Sequence, residues 1–341
     1  DLRMQYLAHR ELHKAIKLTG ARAGSVVTMD SRSGEILALA NFPFYNPNNL
    51  RGVEPRQRRN RALVDAFEPG STMKPVAVAA ALHSGKFSPQ TLIDTAPGRI
   101  QVGRNVLHDP VNYGESDLAR VVAQSSLVGR VKVALALDAQ AVWQMFGGFG
   151  FGVHPGTGFP GESAGLLPYR EKWRPIERAT LVYGHGLTAT PVQLAQAYTV
   201  FANGGRRVSP SLLRLEPEQV VSERVLNRQL AAQVLLILEG ATEAGGTGTQ
   251  AQVPGYRVAG KTGTAHKASG GGYSDDRYLA LFVGVAPVSD PRLVTVVLLD
   301  EPAGDRYSGG EVAAPLFSRV MAGALRLLNI VPDQLTTAEA A

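Results

Sequence analysis

The sequence predicts a mixed α/β (α+β) fold in which a sheet is assembled from the two ends of the chain, with a helical region inserted between them. Two short β-type runs at residues 25–30 and 35–40 support this prediction, together with three runs rich in β-branched and aromatic residues at 256–264, 278–286 and 293–299. Apolar residues at helical spacing dominate the region between the two groups of runs. At 341 residues the chain is long enough for one large or two coupled domains.

The composition is that of a folded globular protein with a basic surface. Hydrophobic residues make up 44% of the chain and charged residues 19%, which excludes an intrinsically disordered protein. The net charge is +6, and the densest basic run holds Arg56, Arg58, Arg59 and Arg61. Because no nucleic-acid motif accompanies this run, we expect a solvated basic face and no nucleic-acid partner.

Cysteine usage and hydropathy limit the sites that the chain can carry. The sequence contains no cysteine, which excludes disulfides and cysteine-ligated metals. His9 and His13 stand four residues apart on a predicted helix without a third ligand, so we expect no metal and no cofactor. No run of 18 apolar residues occurs, and the chain starts at Asp1 without a methionine. We therefore expect membrane attachment only through an N-terminal anchor that has been removed.

The first part of the chain is predicted to form a helix, a hairpin, a long connection and a second helix. Apolar residues at helical spacing predict a helix over residues 5–18. The turn residues 31–34 join the first two β runs, and the Pro- and Asn-rich residues 41–60 form the connection. Pro69-Gly70 breaks the chain just before Ser71, which we expect to be the N-cap of a helix.

The rest of the chain is predicted to return from helices to strands. Helical segments dominate residues 88–210, and a further apolar-periodic helix covers residues 226–238. The glycines at 270–272 mark the turn between the third and fourth β runs, and Asp290-Pro291 marks the next turn. A final helix carries apolar residues at helical spacing: Leu316, Phe317, Val320, Met321 and Ala324.

Three short stretches together indicate one active site. They are Ser71-Thr72-Met73-Lys74, Ser125-Ser126-Leu127 and Lys261-Thr262-Gly263-Thr264. A serine hydroxyl is a weak nucleophile until a base removes its proton, and in a helix that starts at Ser71 the Lys74 amine lies one turn further on the same face. Such a base needs a pKa lowered by ~3 units, or about 4 kcal/mol, from that of free lysine. Lys261 supplies the repulsion for this shift if the fold brings it close.

These stretches resemble the motif set of penicillin-binding proteins and serine β-lactamases. The segment from Glu68 to Pro75 resembles the nucleophile segment of class B penicillin-binding proteins. Residues 30–49, 183–195 and 260–264 resemble further stretches of the same family. In this detail the sequence is similar to the septal, FtsI-type D,D-transpeptidases of Gram-negative bacteria, and the resemblance covers nearly the whole chain.

The resemblance implies a penicillin-binding-protein/serine β-lactamase-like fold with a mainly antiparallel five-stranded sheet flanked by helices and an inserted all-helical subdomain. A transpeptidase domain is then expected over residues 1–331, followed by a tail at 332–341. Within that domain the sheet subdomain is expected at about residues 1–87 and 211–331, and the helical subdomain at about 88–210.

The resemblance also implies catalytic roles. Ser71 attacks the D-Ala–D-Ala bond of a peptidoglycan stem peptide and forms an acyl-enzyme, with Lys74 as the base. Ser125 relays a proton between Lys74, Lys261 and the leaving amine. The backbone N–H groups of Ser71 and Thr264 form the oxyanion hole, a type of site in which loss of one donor costs ~10²–10³ in rate.

Further residues are expected to hold the substrate. In the family, Thr262 and Thr264 bind the terminal carboxylate of the substrate, and the strand that carries Gly263 pairs with the substrate backbone. Tyr307, like Tyr273 and Tyr278, is a candidate wall of the cleft, with ordinary packing as the open alternative.

Leu127 departs from the family pattern. The middle motif of the family is Ser-x-Asn, whose amide holds the substrate and contacts the catalytic lysine, and Leu127 does neither. An unpaired substrate amide costs about 1–3 kcal/mol, so we expect a weakened or retuned enzyme, either engineered or a specialised paralogue. Two other functions stay open: a serine β-lactamase, or a β-lactam sensor or divisome scaffold without catalysis.

The resemblance implies partners and a location as well. The expected ligands are peptidoglycan stem peptides and β-lactams. For the full-length protein, a SEDS-type glycosyltransferase and other divisome proteins are expected partners, at the periplasmic face of the bacterial inner membrane.

Overall fold

A computed structural model of the chain describes residues 1–269 and 272–334. Within these residues the α-helices are α1 (Leu2–Thr19), α2 (Arg61–Val64), α3 (Lys74–His83), α4 (Leu118–Ala123), α5 (Leu127–Ala136), α6 (Ala139–Gly148), α7 (Pro175–Val182), α8 (Pro191–Ala202), α9 (Arg228–Gly240) and α10 (Ala314–Leu327). The strands are β1 (Ala23–Asp30), β2 (Ile36–Phe42), β3 (Leu92–Asp94), β4 (Arg99–Val102), β5 (Asn105–His108), β6 (Glu115–Asp117), β7 (Arg206–Val208), β8 (Ser222–Arg224), β9 (Ala259–Ser269), β10 (Gly272–Ala286) and β11 (Leu293–Asp300).

The core is a five-stranded antiparallel sheet in the order β2-β1-β11-β10-β9. Strands from the two ends of the chain pair directly, with Val27 of β1 opposite Val296 of β11. The predicted hairpin of β1 and β2 forms, and β9 becomes one edge of the sheet. The prediction of an α+β fold with a five-stranded, mainly antiparallel sheet is therefore confirmed.

Helices cover both faces of this sheet. On one face α1 and α10 form an apolar cluster with Val26, Phe282 and Val297. On the other face α8 packs against β1, β10 and β11, and Val283 and Val296 join a cluster that includes α3 and α9. Because both faces are buried, β11 reads as a nearly continuous apolar run instead of an alternating one.

The inserted region is mixed, and its prediction as all-helical is wrong. β3 pairs with β6 and β4 pairs with β5 to give two small two-stranded sheets beside α4 and α5. These strands have three or four residues each, too short to show a period of two in the sequence. Gly103 follows β4 with a φ of 60° and allows the tight turn to β5. The subdomain boundaries at about 88 and 210 stay a prediction.

Two further boundaries differ from the prediction in ways that bear on the site. Ser71 is not the N-cap of an α-helix, because residues Gly70–Met73 form a 3-10 turn and α3 begins at Lys74. β9 does not end at the Lys-Thr-Gly motif but continues to Ser269, since the long β10 goes on pairing with it. The predicted turn at 270–272 lies outside the described residues except for Gly272, and so does the tail from 335 onward.

Neither a membrane-spanning helix nor a metal-binding cluster is found among the described residues. Of the helices in residues 1–269 and 272–334, none has both the length and the apolar character needed to cross a bilayer. Nor do those residues contain a cluster of three or more His, Asp or Glu side chains that is arranged to hold a metal ion.

Candidate active site

The predicted nucleophile segment is a short turn that three hydrogen bonds hold in place. The Gly70 N–H donates to the Gly184 carbonyl at 3.1 Å, and the Thr72 hydroxyl donates to the Pro69 carbonyl at 2.8 Å. The buried Tyr198 hydroxyl donates to the Thr72 carbonyl at 2.8 Å. Gly184 has a φ of 77°, and a Cβ there would lie 2.2 Å from the Gly70 carbonyl oxygen, so only glycine fits. These contacts fix the position of half-buried Ser71.

Lys74 lies behind this turn as the first residue of α3, with a side chain that is 3% exposed. Its Nζ donates to Ser125 Oγ at 2.8 Å. Burial lowers the pKa of Lys74 well below its usual value, and the charges of Arg130 and then Lys261 lower it further, while Asp109 opposes them. The repulsion by Lys261 that the sequence led us to expect is present, but that of Arg130 is larger.

Ser125 presents its hydroxyl to Lys74 from the loop between α4 and α5. Its backbone has a φ of 60°, the left-handed region that non-glycine residues seldom adopt. Arg130, on the second turn of α5, donates from Nη2 to the Ser125 carbonyl at 2.8 Å and from Nε to the Ser126 carbonyl at 2.6 Å. The guanidinium therefore holds the strained loop in the conformation that points Ser125 at the lysine.

Lys261 reaches the site from β9. The side chain is 1% exposed, and its Nζ donates to Thr247 Oγ1 and Thr262 Oγ1, each at 3.2 Å. Burial, with help from the charge of Arg130, lowers the pKa of Lys261 to about 7. A buried amine with this pKa exchanges protons near neutral pH, which suits a relay.

Close packing of β9 on the nucleophile turn brings the distant motifs together. Gly263 lies on the same face of β9 as Lys261, and a Cβ at Gly263 would lie 2.9 Å from Thr72 Cγ2. We expected this glycine to admit a substrate backbone. The structure shows a different reason, because the turn that carries Ser71 occupies the space beside it.

The two threonines of the motif lie on the opposite face of β9. Thr262 Oγ1 and Thr247 Oγ1 are 3.0 Å apart, and the Gly309 N–H donates to Thr264 Oγ1 at 3.0 Å. Thr264 is exposed on the edge strand. Because Thr264 Oγ1 accepts from the Gly309 N–H, its hydroxyl proton is available to donate to a carboxylate.

Tyr307 lies next to this exposed strand. Its ring stacks on that of Tyr278, with centroids 4.0 Å apart, and Tyr278 lies 4.7 Å from the ring of His266, two residues beyond Thr264. Tyr307 is 37% exposed. It thus borders the edge of β9, while its contact with a substrate stays a prediction.

Leu127 is the first residue of α5 and makes no polar contact through its side chain. It packs against an apolar cluster that contains Val102, Val131 and Ala179. Its backbone N–H donates to the carboxylate of Asp109, which also accepts from Ser126 Oγ at 2.6 Å. Leu127 therefore stabilises the small sheets of the inserted region and supplies no amide to the site.

Sequence reasoning missed several residues that the fold brings into the site. Arg130 and Asp109 flank the middle motif, and Tyr183 lies with its ring 5.8 Å from the Arg130 guanidinium carbon. Glu68 accepts from the Gly186 N–H at 2.9 Å and from the Tyr273 hydroxyl at 2.8 Å. One signal was available for Arg130, a cation three residues after Leu127 on a helix whose only other charged residue is Lys132.

Comparison with known proteins agrees with this geometry. Residues 24–322 match the family described as "Penicillin binding protein transpeptidase domain". The chain is 45% identical to the probable peptidoglycan D,D-transpeptidase PbpC of Pseudomonas aeruginosa over 98% of the chain and 59% of that protein. It is 41% identical to the peptidoglycan D,D-transpeptidase FtsI of Escherichia coli K12, over 99% of the chain and 57% of that protein. The chain thus spans less than two thirds of these relatives.

A solved structure shows the same fold. The transpeptidase domain of Burkholderia pseudomallei penicillin-binding protein 3, in its apo form, superposes with a TM-score of 0.90 at 37% sequence identity. The match covers 98% of this chain and 97% of that one.

Proposed function

Because the chain belongs to the penicillin-binding protein transpeptidase family, we propose that it is a peptidoglycan D,D-transpeptidase of the septal, FtsI type that works through a serine acyl-enzyme. The observation that carries this proposal is the contact of Lys74 Nζ with Ser125 Oγ at 2.8 Å behind Ser71. Burial and neighbouring cations lower the pKa of Lys74, so an amine base stands beside the nucleophile turn.

In the first half of the proposed reaction the enzyme is acylated. Ser71 Oγ attacks the carbonyl carbon between the two terminal D-Ala residues of a stem peptide, and Lys74 takes the hydroxyl proton. The C–N bond then breaks, and the departing D-Ala amine receives a proton through Ser125, to which Lys74 donates. The proton that Lys74 passes on is the one it took from Ser71, so Lys74 ends this half as the neutral amine. Lys261, with a pKa lowered to about 7, is a second group through which this proton can pass.

In the second half an amine of another stem peptide attacks the ester carbonyl. The attacking amine gives up a proton to Lys74, Ser71 leaves as the alkoxide and regains that proton from Lys74, and the new amide bond is the cross-link. The N–H groups of Ser71 and Thr264 are proposed to hold the oxyanion in both halves. β-Lactams mimic the donor and acylate Ser71 in the same way.

The donor strand is proposed to add to the free edge of β9. Edge strands bind extended peptides through main-chain hydrogen bonds, and β9 forms the edge of the five-stranded sheet. Thr262 and Thr264 are proposed to bind the terminal carboxylate, while Lys261 adds positive potential at that end. The exposed Tyr307 borders the same strand and is proposed as a wall of the cleft.

A serine β-lactamase is the second candidate, and the carboxylates near the site argue against it. Rapid hydrolysis of the ester needs a base for the attacking water. Asp109 is occupied by the Leu127 N–H and the Ser126 hydroxyl, and Glu68 by the Gly186 N–H and the Tyr273 hydroxyl. Slow deacylation, typical of a transpeptidase, fits this arrangement better.

Labelling with a fluorescent penicillin tests the proposal. We expect a lasting adduct that peptide mass mapping places on Ser71 and that the Ser71→Ala variant lacks. Rapid loss of the label would favour the β-lactamase, and an adduct on another residue would end the proposal. Cross-linking of a peptidoglycan precursor would then separate a transpeptidase from a sensor or scaffold that binds β-lactams without catalysis.

Partners and location are proposed for the full-length protein by analogy with the family. We expect it to face the periplasm from the bacterial inner membrane and to work with a SEDS-type glycosyltransferase and other divisome proteins. Co-purification of the full-length protein with such a glycosyltransferase would test the partnership.

A further inference from the structure

Arg130 places a guanidinium inside the site, in a chain whose middle motif lacks the family's asparagine. The side chain folds back from α5 toward the loop that precedes it, and its Nη1 is shielded from solvent without a hydrogen-bond partner among the described residues. An unpaired nitrogen on a buried charged group is costly. The desolvation of this nitrogen is a cost that the two hydrogen bonds of the guanidinium to the loop have to offset.

The guanidinium fork bridges two successive carbonyl groups of the middle motif. Hydrogen bonds from a charged donor are roughly twice as strong as neutral ones. They hold Ser125 and Ser126, the first of which has a φ of 60°. A lysine could not replace the fork, because its single nitrogen lacks the planar pair of donors.

Charged and titratable groups face Arg130 and the lysines from several elements. Lys74 faces them from α3, Lys261 from β9, Tyr183 from the end of α7 and Asp109 from the loop after β5. Burial raises the pKa of Tyr183 to about 12, so this phenol is neutral at physiological pH. Asp109 is a carboxylate that acts on Arg130 and Lys74, whereas Arg130 acts on both lysines with the opposite sign.

We propose that Arg130 is a positioning residue for the acylation step, which holds the Ser125 loop against Lys74 and places a fixed cation beside both lysines. It takes over from the asparagine that the family motif carries where this chain has Leu127. The proposal rests on the proposed function, since it concerns acylation of Ser71. The fixed cation opposes protonation of Lys74, which favours the neutral amine that a base requires.

The test compares variants of two arginines on the same helix pair. Arg130→Gln removes the charge at the site, and Arg130→Lys keeps the charge but removes the fork. The matched control is Arg178→Gln, because Arg178 also bonds carbonyl groups of α5, at the far end of that helix. The measurement is the second-order rate constant for acylation by a fluorescent penicillin as a function of pH, with thermal unfolding of each variant.

We expect Arg130→Gln to lower the rate at about pH 7 by tenfold or more and to move the acid limb of the profile upward by about one unit, because each unit is tenfold in the free base. Arg130→Lys should lower the plateau and leave the limb near its wild-type position. Arg178→Gln should leave the limb unmoved.

Three outcomes overturn the inference. The first is an acid limb of the rate profile for Arg130→Gln that coincides with the limb for Arg178→Gln. The second is a plateau rate for Arg130→Lys equal to that of the wild type. The third is an acid limb that moves equally in both Arg130 variants. If Arg130→Gln does not fold, the plateau acylation rate of Arg130→Lys is sufficient to test the inference. Failure of the proposed function looks different, because the wild-type protein would then carry no adduct on Ser71.

Discussion

The guanidinium groups of two arginines, Arg130 and Arg178, bind backbone carbonyl groups at opposite ends of α5, and their relation to the helix dipole differs. Arg178 donates to the Leu135 carbonyl at 2.9 Å and also to that of Leu137, which satisfies groups at the C-terminal end of the helix. A cation is favourable there, by about 0.3–1 kcal/mol. Arg130 brings its charge back to the N-terminal end, where the helix dipole disfavours a cation. At the C-terminal end the cation and the helix dipole attract each other, whereas at the N-terminal end the cation opposes the dipole and acts on the pKa of Lys74.

The largest effect is expected when the proposed base, Lys74, is removed from its place beside the N-terminal end of α5. Lys74→Met keeps an unbranched side chain in a buried position but has no amine. Because general bases contribute typically 10²–10⁴ to a rate, we expect penicillin acylation to fall by about that factor. Burial disfavours the charged lysine, so we expect no loss of thermal stability. Acylation within tenfold of wild type would show that Lys74 is not the base.

Asp109→Asn removes a negative charge near the N-terminal end of α5, whereas Arg130→Gln removes a positive one. The two variants should therefore have opposite effects on Lys74. The Asp109 carboxylate raises the pKa of Lys74 against the effect of Arg130. We therefore expect the acid limb of the acylation profile to move to lower pH, the reverse of Arg130→Gln. The variant also weakens the bonds to Ser126 and Leu127, and we expect a loss of ~1 kcal/mol in the free energy of unfolding. A limb that moves upward would contradict the charge balance described for the site.

Lys261→Met tests how much the burial of a protonated Lys261 lowers the free energy of unfolding. The pKa of Lys261 is lowered to about 7, while the unfolded chain keeps a value near 10.4. Between these two values the unfolded state binds more protons, so this lysine makes stability rise with pH, at most by about 1.4 kcal/mol per unit. Below about pH 7 the unfavourable contribution is complete, and above about pH 10.4 it is gone.

We therefore expect the free energy of unfolding of wild type minus that of Lys261→Met to increase from about pH 7 to 10. Denaturant titrations of both proteins across this range measure it. A difference that does not depend on pH would show that Lys261 titrates normally. The lost hydrogen bonds to Thr247 and Thr262 shift the difference at every pH but do not change its slope.

The fold was largely predictable because its signals are local. The five strands of the sheet and the helices α1, α9 and α10 follow from runs of six or more residues with one period or a sustained apolar character. β3 to β6 have three or four residues and give no such signal. The start of α3 at Lys74 instead of Ser71 depends on contacts of the turn with Gly184 and Tyr198, far along the chain.

The site was predictable only as far as motifs carry it. Ser71, Lys74, Ser125 and Lys261 stand in recognisable stretches, but the order of the charges acting on Lys74 depends on which side chains meet. Arg130 and Asp109 enter through a helix turn and a loop that no local pattern connects to the lysines. The role of Gly263 likewise became clear only from its distance to Thr72.

The smallest effect is expected for Leu127→Asn, which tests directly whether Arg130 replaces the asparagine of the family motif. If Arg130 already does the work of the missing amide, restoring the asparagine alone changes acylation by less than about threefold. In the Arg130→Gln background the same change should recover about tenfold, a coupling of about 1.4 kcal/mol between two residues that share one loop. The four proteins of this cycle are compared by the rate of acylation at neutral pH. An equal gain in acylation rate from Leu127→Asn in both backgrounds would mean that the Arg130 guanidinium and the asparagine amide act independently. Leu127 would then simply weaken the enzyme.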